Sequence, residues 1–86
     1  MPRISAFYGI IVRMYHDDHA PPHVHVQYSE KWAKISIGEV KVIDGSLPPR
    51  VIRLYREWAG LHQNELLENW RRARRSLPLE PISPLE

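Results

Sequence analysis

Cysteine is absent from this chain, and its absence excludes disulfide bonds and thiolate metal sites. No apolar run approaches the roughly 20 residues that a transmembrane helix requires. The first residues, Met1 to Ser5, lack the apolar stretch of a secretory signal peptide. We therefore expect a soluble cytoplasmic protein without membrane contact, and nothing in the composition calls for a cofactor.

The chain is also short, since 86 residues form one domain at most. A protein of this size buries only about 60–65% of the surface that its unfolded chain exposes. Its core is therefore thin, and a homodimer is compatible with the composition. Pro78, Pro81 and Pro84 exclude regular structure at the end of the chain. We predict a single domain over residues 1–77 and an extended or disordered tail over residues 78–86.

Positive charge is concentrated in the second half of the chain, although the net charge is only +2. Residues 50–75 contain seven arginines and three glutamates, a local net charge of +4. Such a segment is typical of proteins with an anionic partner, either a nucleic acid or an acidic protein. A solvated helix face whose charges pair with one another explains the same pattern equally well.

The residue patterns predict a strand-rich half followed by a helical half. Apolar and β-branched residues predict strands at residues 4–8, 9–15, 23–28, 32–37 and 40–43. Apolar residues then recur at helical spacing from Val51 to Leu61 and again from Leu66 to Leu77. This order predicts an α+β fold. An N-terminal antiparallel sheet of about four to five strands would carry two C-terminal amphipathic helices on one face.

Alternation along the strands predicts which side chains lie on the other, open face of the sheet. If Val24 and Val26 face the helices, His23 and His25 face away from them. The same reasoning adds cationic and aromatic side chains to the open face: Arg13, Tyr15, Trp32 and Lys34. Such a face is positively charged and titratable, and its tryptophan would either stack on a nucleic-acid base or pack on the first strands.

Four of the five histidines lie within ten residues: His16, His19, His23 and His25. One interpretation of this cluster is a metal site. His23 and His25 would supply two imidazoles from one strand, and His19, Asp17 or Asp18 would complete a set of nitrogen and oxygen ligands. The spacing matches no standard zinc motif.

Two other interpretations of the histidines need no metal. RNA cleavage through the 2′-hydroxyl group requires a base, an acid and a cation for the phosphate. His23 and His25 would supply the base and the acid, and Arg13 or Lys34 the cation. In the other interpretation the histidines only hydrogen-bond the loop and the sheet edge. The residues alone leave all three interpretations open.

One string in this region is specific. Asp18-His19-x-Pro21-Pro22-His23-x-His25 resembles the signature of a family of small bacterial proteins, the domain of unknown function numbered 4160. Other strings share the resemblance: Phe7-Tyr8-Gly9-Ile10, Gly45-Ser46-Leu47-Pro48, Glu57-Trp58-Ala59 and Glu65-Leu66-Leu67-Glu68-Asn69-Trp70. The family often has an acidic residue where this chain has Gln27, which argues against a carboxylate-assisted mechanism here.

The resemblance implies the toxin component of a type II toxin–antitoxin pair, whose partner is a cognate antitoxin-like small protein. Together with the open face, it leads to the hypothesis of a metal-independent endoribonuclease. The predicted catalytic residues are His19, His23, His25, Arg13 and Lys34. The predicted substrate-binding residues are Arg13, Tyr15, Trp32 and Lys34. The alternative is a non-catalytic module that binds a protein or a metal.

Overall fold

A computed structural model describes residues 3–16 and 19–86 of the chain. It contains five strands and two helices: β1 Arg3–Phe7, β2 Ile10–Arg13, β3 His23–Tyr28, β4 Lys31–Ser36, β5 Val42–Gly45, α1 Pro49–Leu61 and α2 Gln63–Arg74. The strands form one antiparallel sheet in the order β1-β2-β3-β4-β5, so each strand pairs with its neighbour in sequence. The predicted α+β architecture is confirmed.

The core lies between one face of the sheet and the two helices. Val24 and Val26 alternate along β3 and are fully buried, as the period of two predicted. Trp58 of α1 is also fully buried, and its ring centroid lies 5.2 Å from that of Phe7 in β1. Trp70 of α2 belongs to the same cluster. Both helical tryptophans are thus core residues, as their places on the two apolar helical stripes predict.

The edge strand β5 contains a bulge. Val42 pairs with Ile35 and Asp44 pairs with Lys34, which leaves Ile43 as an extra residue. Because paired residues share one face of the sheet, Val42 lies on the same face as the buried Ile35, as its apolar character predicts. Its side chain is still 37% exposed, since β5 is the outermost strand.

The helix junction has no asparagine cap. Asn64, a residue type common at helix N-caps, lies inside the first turn of α2 instead. The junction residue is His62, which ends α1 and precedes α2. Its Nδ1 donates a hydrogen bond to the carboxylate of Glu65. An imidazole at the N-cap position therefore contacts the first turn of α2.

The last nine residues contain neither helix nor strand, yet they lie against the body of the protein. Ile82 is only 4% exposed, and its backbone N–H donates to Ile4 O in β1 at 2.8 Å. The extended segment thus adds one backbone contact to the outer edge of the sheet. The domain boundary at residue 77 stays a prediction.

Tyr55 carries a buried hydroxyl group that has no hydrogen-bond partner among residues 3–16 and 19–86. We expect Tyr55→Phe to raise the free energy of unfolding by about 1 kcal/mol. The hydroxyl loses its hydrogen bonds to water on folding and gains none within the protein, so its removal abolishes that cost. Urea titration measures the change. In the control Tyr28→Phe, the lost hydroxyl accepts a hydrogen bond from Arg50 at 3.0 Å, and no gain in stability is expected.

The same hydroxyl group gives the stability a pH dependence. Burial raises the pKa of Tyr55 above its usual value of about 10. Above about pH 10 the unfolded chain loses this proton while the folded chain keeps it, so the free energy of unfolding falls as the pH rises. In Tyr55→Phe the free energy of unfolding should fall less steeply above about pH 10. An equally steep fall in the variant would show that the Tyr55 hydroxyl does not cause it.

Candidate functional site

Three side chains of the open face form one row across the central strands. Arg13 of β2 pairs with His25 of β3, and His25 pairs with Lys34 of β4. Residues directly opposite each other in antiparallel strands have Cβ atoms about 4.5–5.5 Å apart. The imidazole therefore stands between a guanidinium group and an ammonium group. The row continues to Asp44, whose carboxylate accepts the backbone N–H of Gly45 at 2.9 Å.

This row forms part of an open cleft of about 430 Å³, which we call the sheet cleft. Its lining includes most of the residues predicted for the site: Arg13, Tyr15, His25, Trp32 and Lys34. Gln27, Glu30 and Lys31 complete its polar wall. Strand alternation was the signal that predicted this grouping, because Arg13, His25, Trp32 and Lys34 have the parity opposite to the buried core residues of their strands.

Contacts inside the sheet cleft hold its central groups in place. The Tyr15 ring meets the His25 ring edge to face, with centroids 4.3 Å apart and an interplanar angle of 87°. The Arg13 guanidinium donates a hydrogen bond to the side-chain oxygen of Gln27. The Gln27 amide in turn donates to Ser29 O at 3.2 Å. A neutral amide thus orients the Arg13 charge without cancelling it.

Trp32 forms the exposed aromatic wall of the sheet cleft. Its side chain is 47% exposed, as its parity in β4 predicted. It lies two residues before Lys34 on the same strand face, about 7 Å along the strand. The cleft thus presents an exposed planar ring and a cation on one strand face.

His23 has the same parity as His25 but is not exposed. Its side chain is only 5% exposed, because the Trp70 ring of α2 lies against it with centroids 5.5 Å apart. Its Nδ1 lies 2.8 Å from Pro21 O, and we assign the proton to Nδ1 in this hydrogen bond. The His23 and His25 rings are 5.4 Å apart. His23 thus supports the cleft from inside the protein, which the sequence did not predict.

The remaining histidines of the cluster lie apart from the sheet cleft. His19 is exposed and lines a smaller cleft of about 190 Å³ together with His23 and Lys34. Lys34 is therefore shared by two neighbouring clefts, with His25 in one and His19 in the other. His16 points elsewhere, because its Nε2 donates to Leu77 O at 3.0 Å.

A metal site receives no support from the described residues. Among residues 3–16 and 19–86, no three histidine or carboxylate side chains are grouped closely enough to hold a metal ion. Asp17 and Asp18, which we considered as ligands, lie outside the described residues.

Some of the arginine-rich half is engaged in contacts within the chain. Arg71 lies 3.5 Å from the Glu68 carboxylate, and Arg72 lies 3.6 Å from that of Glu80. The Arg50 guanidinium contacts the Tyr28 side chain. Internal pairing therefore accounts for part of the helical charge, whereas Arg13 and Lys34 line an open cleft.

Comparison with known families settles the assignment. The family model for the domain of unknown function DUF4160 matches residues 9–71. This chain belongs to the DUF4160 family. The matched range contains the whole sheet cleft, from Arg13 to Lys34. No curated protein and no solved structure matches this DUF4160 chain. Within its described residues, neither helix has the length and apolar character needed to cross a membrane.

Proposed function

We propose that this DUF4160 protein is a cytoplasmic toxin of a bacterial toxin–antitoxin module and that it cleaves RNA at the sheet cleft. A cognate antitoxin-like small protein would hold it inactive. The observation that carries the proposal is the row of Arg13, His25 and Lys34 along the open cleft. An imidazole between two cations combines proton transfer with phosphate binding.

Single-stranded RNA is the substrate class that fits the cleft best. The two cations attract the phosphate backbone without sequence preference. Trp32 offers an exposed ring for a base that is not paired, and base stacking on an aromatic side chain contributes about 1–3 kcal/mol. A base within a duplex is stacked on its neighbours and is not available to this ring. We therefore expect single strands and loops to be preferred over duplexes.

The chemistry follows from the placement of the histidines around Lys34. His25 takes the proton of the 2′-hydroxyl group, and the 2′-oxygen attacks the adjacent phosphorus. The bond between phosphorus and the 5′-oxygen breaks, and His19 in the neighbouring cleft gives this oxygen its proton. Lys34 and Arg13 stabilise the negative charge that develops on the phosphate. The products are a 2′,3′-cyclic phosphate and a 5′-hydroxyl end.

His23 has a positioning role in this proposal. It is buried between His25 and Trp70 and bonds to Pro21 O, so its ring fixes the strand end from which His25 projects. The prediction that His23 itself transfers a proton stays untested. A His23→Gln variant should lose stability as well as activity, whereas His25→Gln should lose activity alone.

The product ends provide the direct test of the mechanism. End-labelled single-stranded RNA is incubated with the purified protein in the presence of a metal chelator. We expect fragments with 2′,3′-cyclic phosphate ends, and no cut at a nucleotide whose 2′-hydroxyl is replaced by hydrogen. Expression of the protein alone should arrest bacterial growth. RNA left intact under all conditions, with growth unaffected, would refute the proposal.

The packing of His23 favours a second candidate, a non-catalytic binding module. In this alternative the histidines stabilise the cleft, and the row of cations binds RNA or an acidic protein without cleaving it. Growth arrest that persists in His25→Ala, together with RNA that is bound but not cut, would support this alternative over the endoribonuclease.

A further inference from the structure

The segment of residues 77–86, which we call the proline tail, repeats with a period of three. After Leu77 it consists of three triplets of proline, apolar and polar residues: Pro78-Leu79-Glu80, Pro81-Ile82-Ser83 and Pro84-Leu85-Glu86. Burial follows the same period, because Leu79, Ile82 and Leu85 pack on the core while the other residues of the triplets are exposed. A period of three is that of the polyproline II helix.

The body of the protein binds the backbone of the proline tail at the same period. Each carbonyl group that precedes a proline of the tail accepts a hydrogen bond from a side chain. The donors and acceptors are His16 Nε2 to Leu77 O at 3.0 Å, Asn69 Nδ2 to Glu80 O at 2.8 Å, and Trp58 Nε1 to Ser83 O at 2.7 Å. Three side chains from three different parts of the fold thus form one row of donors.

Asn69 makes the most specific contact with the proline tail. Its side chain is buried, and besides donating to Glu80 O it accepts the Glu80 N–H at 2.8 Å. Both functional atoms of a buried amide are therefore used on the backbone of one tail residue. Arg72 Nε adds a bond to Pro78 O at 2.6 Å. These contacts recognise the backbone of the tail and the spacing of its triplets. The apolar side chains of the tail fill the groove beside the donors His16, Trp58 and Asn69.

We propose that this groove is a recognition site for peptides of the Pro-apolar-polar repeat, closed by the chain's own tail and open in trans to the tail of a second copy. Proline-rich peptides bind aromatic grooves in this manner, because their preformed helix loses little entropy on binding. The apolar residue of each triplet enters the groove. The carbonyl oxygen before each proline accepts a hydrogen bond from a side chain of the body.

The hinge of the proline tail favours a second copy as the occupant. Only Arg75 and Ser76 separate α2 from the tail. Ser76 has φ = +57°, a left-handed backbone conformation that residues other than glycine rarely adopt. Short strained hinges promote the exchange of identical segments between two chains. The tail of another copy offers the same atoms to the groove.

Two full-length variants test the exchange. Ile82→Glu places a charge on the buried tail residue and should release the tail while leaving the groove intact. Asn69→Leu keeps the approximate size of the side chain but removes both hydrogen bonds to Glu80, while leaving the tail sequence intact. We expect each variant alone to be monomeric. Their equimolar mixture should form a heterodimer, measured by sedimentation velocity, and a mixture that stays monomeric would overturn exchange between copies.

A labelled peptide of residues 76–86 tests the groove itself. It should bind the Ile82→Glu chain but not the wild-type chain, whose own tail is present at millimolar effective concentration. A peptide carrying Ile82→Glu should bind at least about tenfold more weakly. If Ile82→Glu prevents folding, as judged by circular dichroism, the milder Leu85→Asp releases the tail instead. Failure of the wild-type peptide to bind a folded, tail-released chain would refute the recognition site.

Discussion

Replacing His25 with alanine is expected to lower the rate of RNA cleavage by about 10²–10⁴-fold, the usual contribution of a general acid or base. The imidazole is the one group of the cleft row placed between two cations, where a scissile phosphate would lie. Its removal takes away the base but leaves Arg13 and Lys34 to bind the backbone. RNA binding should therefore fall much less than cleavage, and single-turnover rates together with binding isotherms separate the two.

The matched control for this experiment is another histidine outside the cleft. His62 lies at the helix junction and contacts Glu65, so His62→Ala should leave the cleavage rate unchanged. Arg13→Ala and Lys34→Ala should weaken binding and cleavage together, because each removes a phosphate contact. A His25→Ala protein that keeps more than about a tenth of the wild-type rate would exclude His25 as the base.

The sequence predicted the sheet cleft because local rules determine it. Strand alternation depends on neighbouring residues alone, and β3 occupies the six residues that the pattern indicated. Once Val24 and Val26 face the helices, His25 must face the other way. The antiparallel meander then places Lys34 and Arg13 on either side of it. Short-range sequence patterns were therefore sufficient to predict the row of Arg13, His25 and Lys34.

The burial of His23 could not be read from the sequence, because it depends on a distant residue. The ring that covers it belongs to Trp70 in the last helix. The helical pattern showed only that Trp70 lies on the apolar face of that helix. How far α2 reaches over the end of the sheet depends on the packing of the whole core. The bulge at Ile43 likewise has no local signal in the sequence.

The proline tail shows a signal that was present but not recognised. The triplet repeat is visible in the sequence, and only the structure shows that its apolar residues pack against the core. The donors that bind it, His16, Trp58 and Asn69, come from the loop after β2, from α1 and from α2. Side chains so far apart in sequence become one site only when the fold is complete.

Replacing Gly45 with alanine is expected to lower the free energy of unfolding by about 3 kcal/mol or more. Gly45 has φ = +80°, and a Cβ atom there would lie 2.3 Å from Trp32 O and 2.9 Å from Ala33 Cα. These are backbone atoms, so no side chain can move to make room. The strain falls on the β4–β5 pairing that supports the Trp32 wall of the cleft. Urea titration measures the loss.

Gly38→Ala is the matched control, because an added Cβ at Gly38 has no atom within 4 Å. We expect its stability to stay within about 0.5 kcal/mol of the wild type. The pair of variants also tests the site. If β4 holds Trp32 and Lys34 in place through its contact with Gly45, then a folded fraction of Gly45→Ala should bind RNA more weakly than Gly38→Ala at equal folded concentration. Equal stability of the two variants would show that β5 does not approach Trp32 as described, and the exposed wall of the cleft would lose its support.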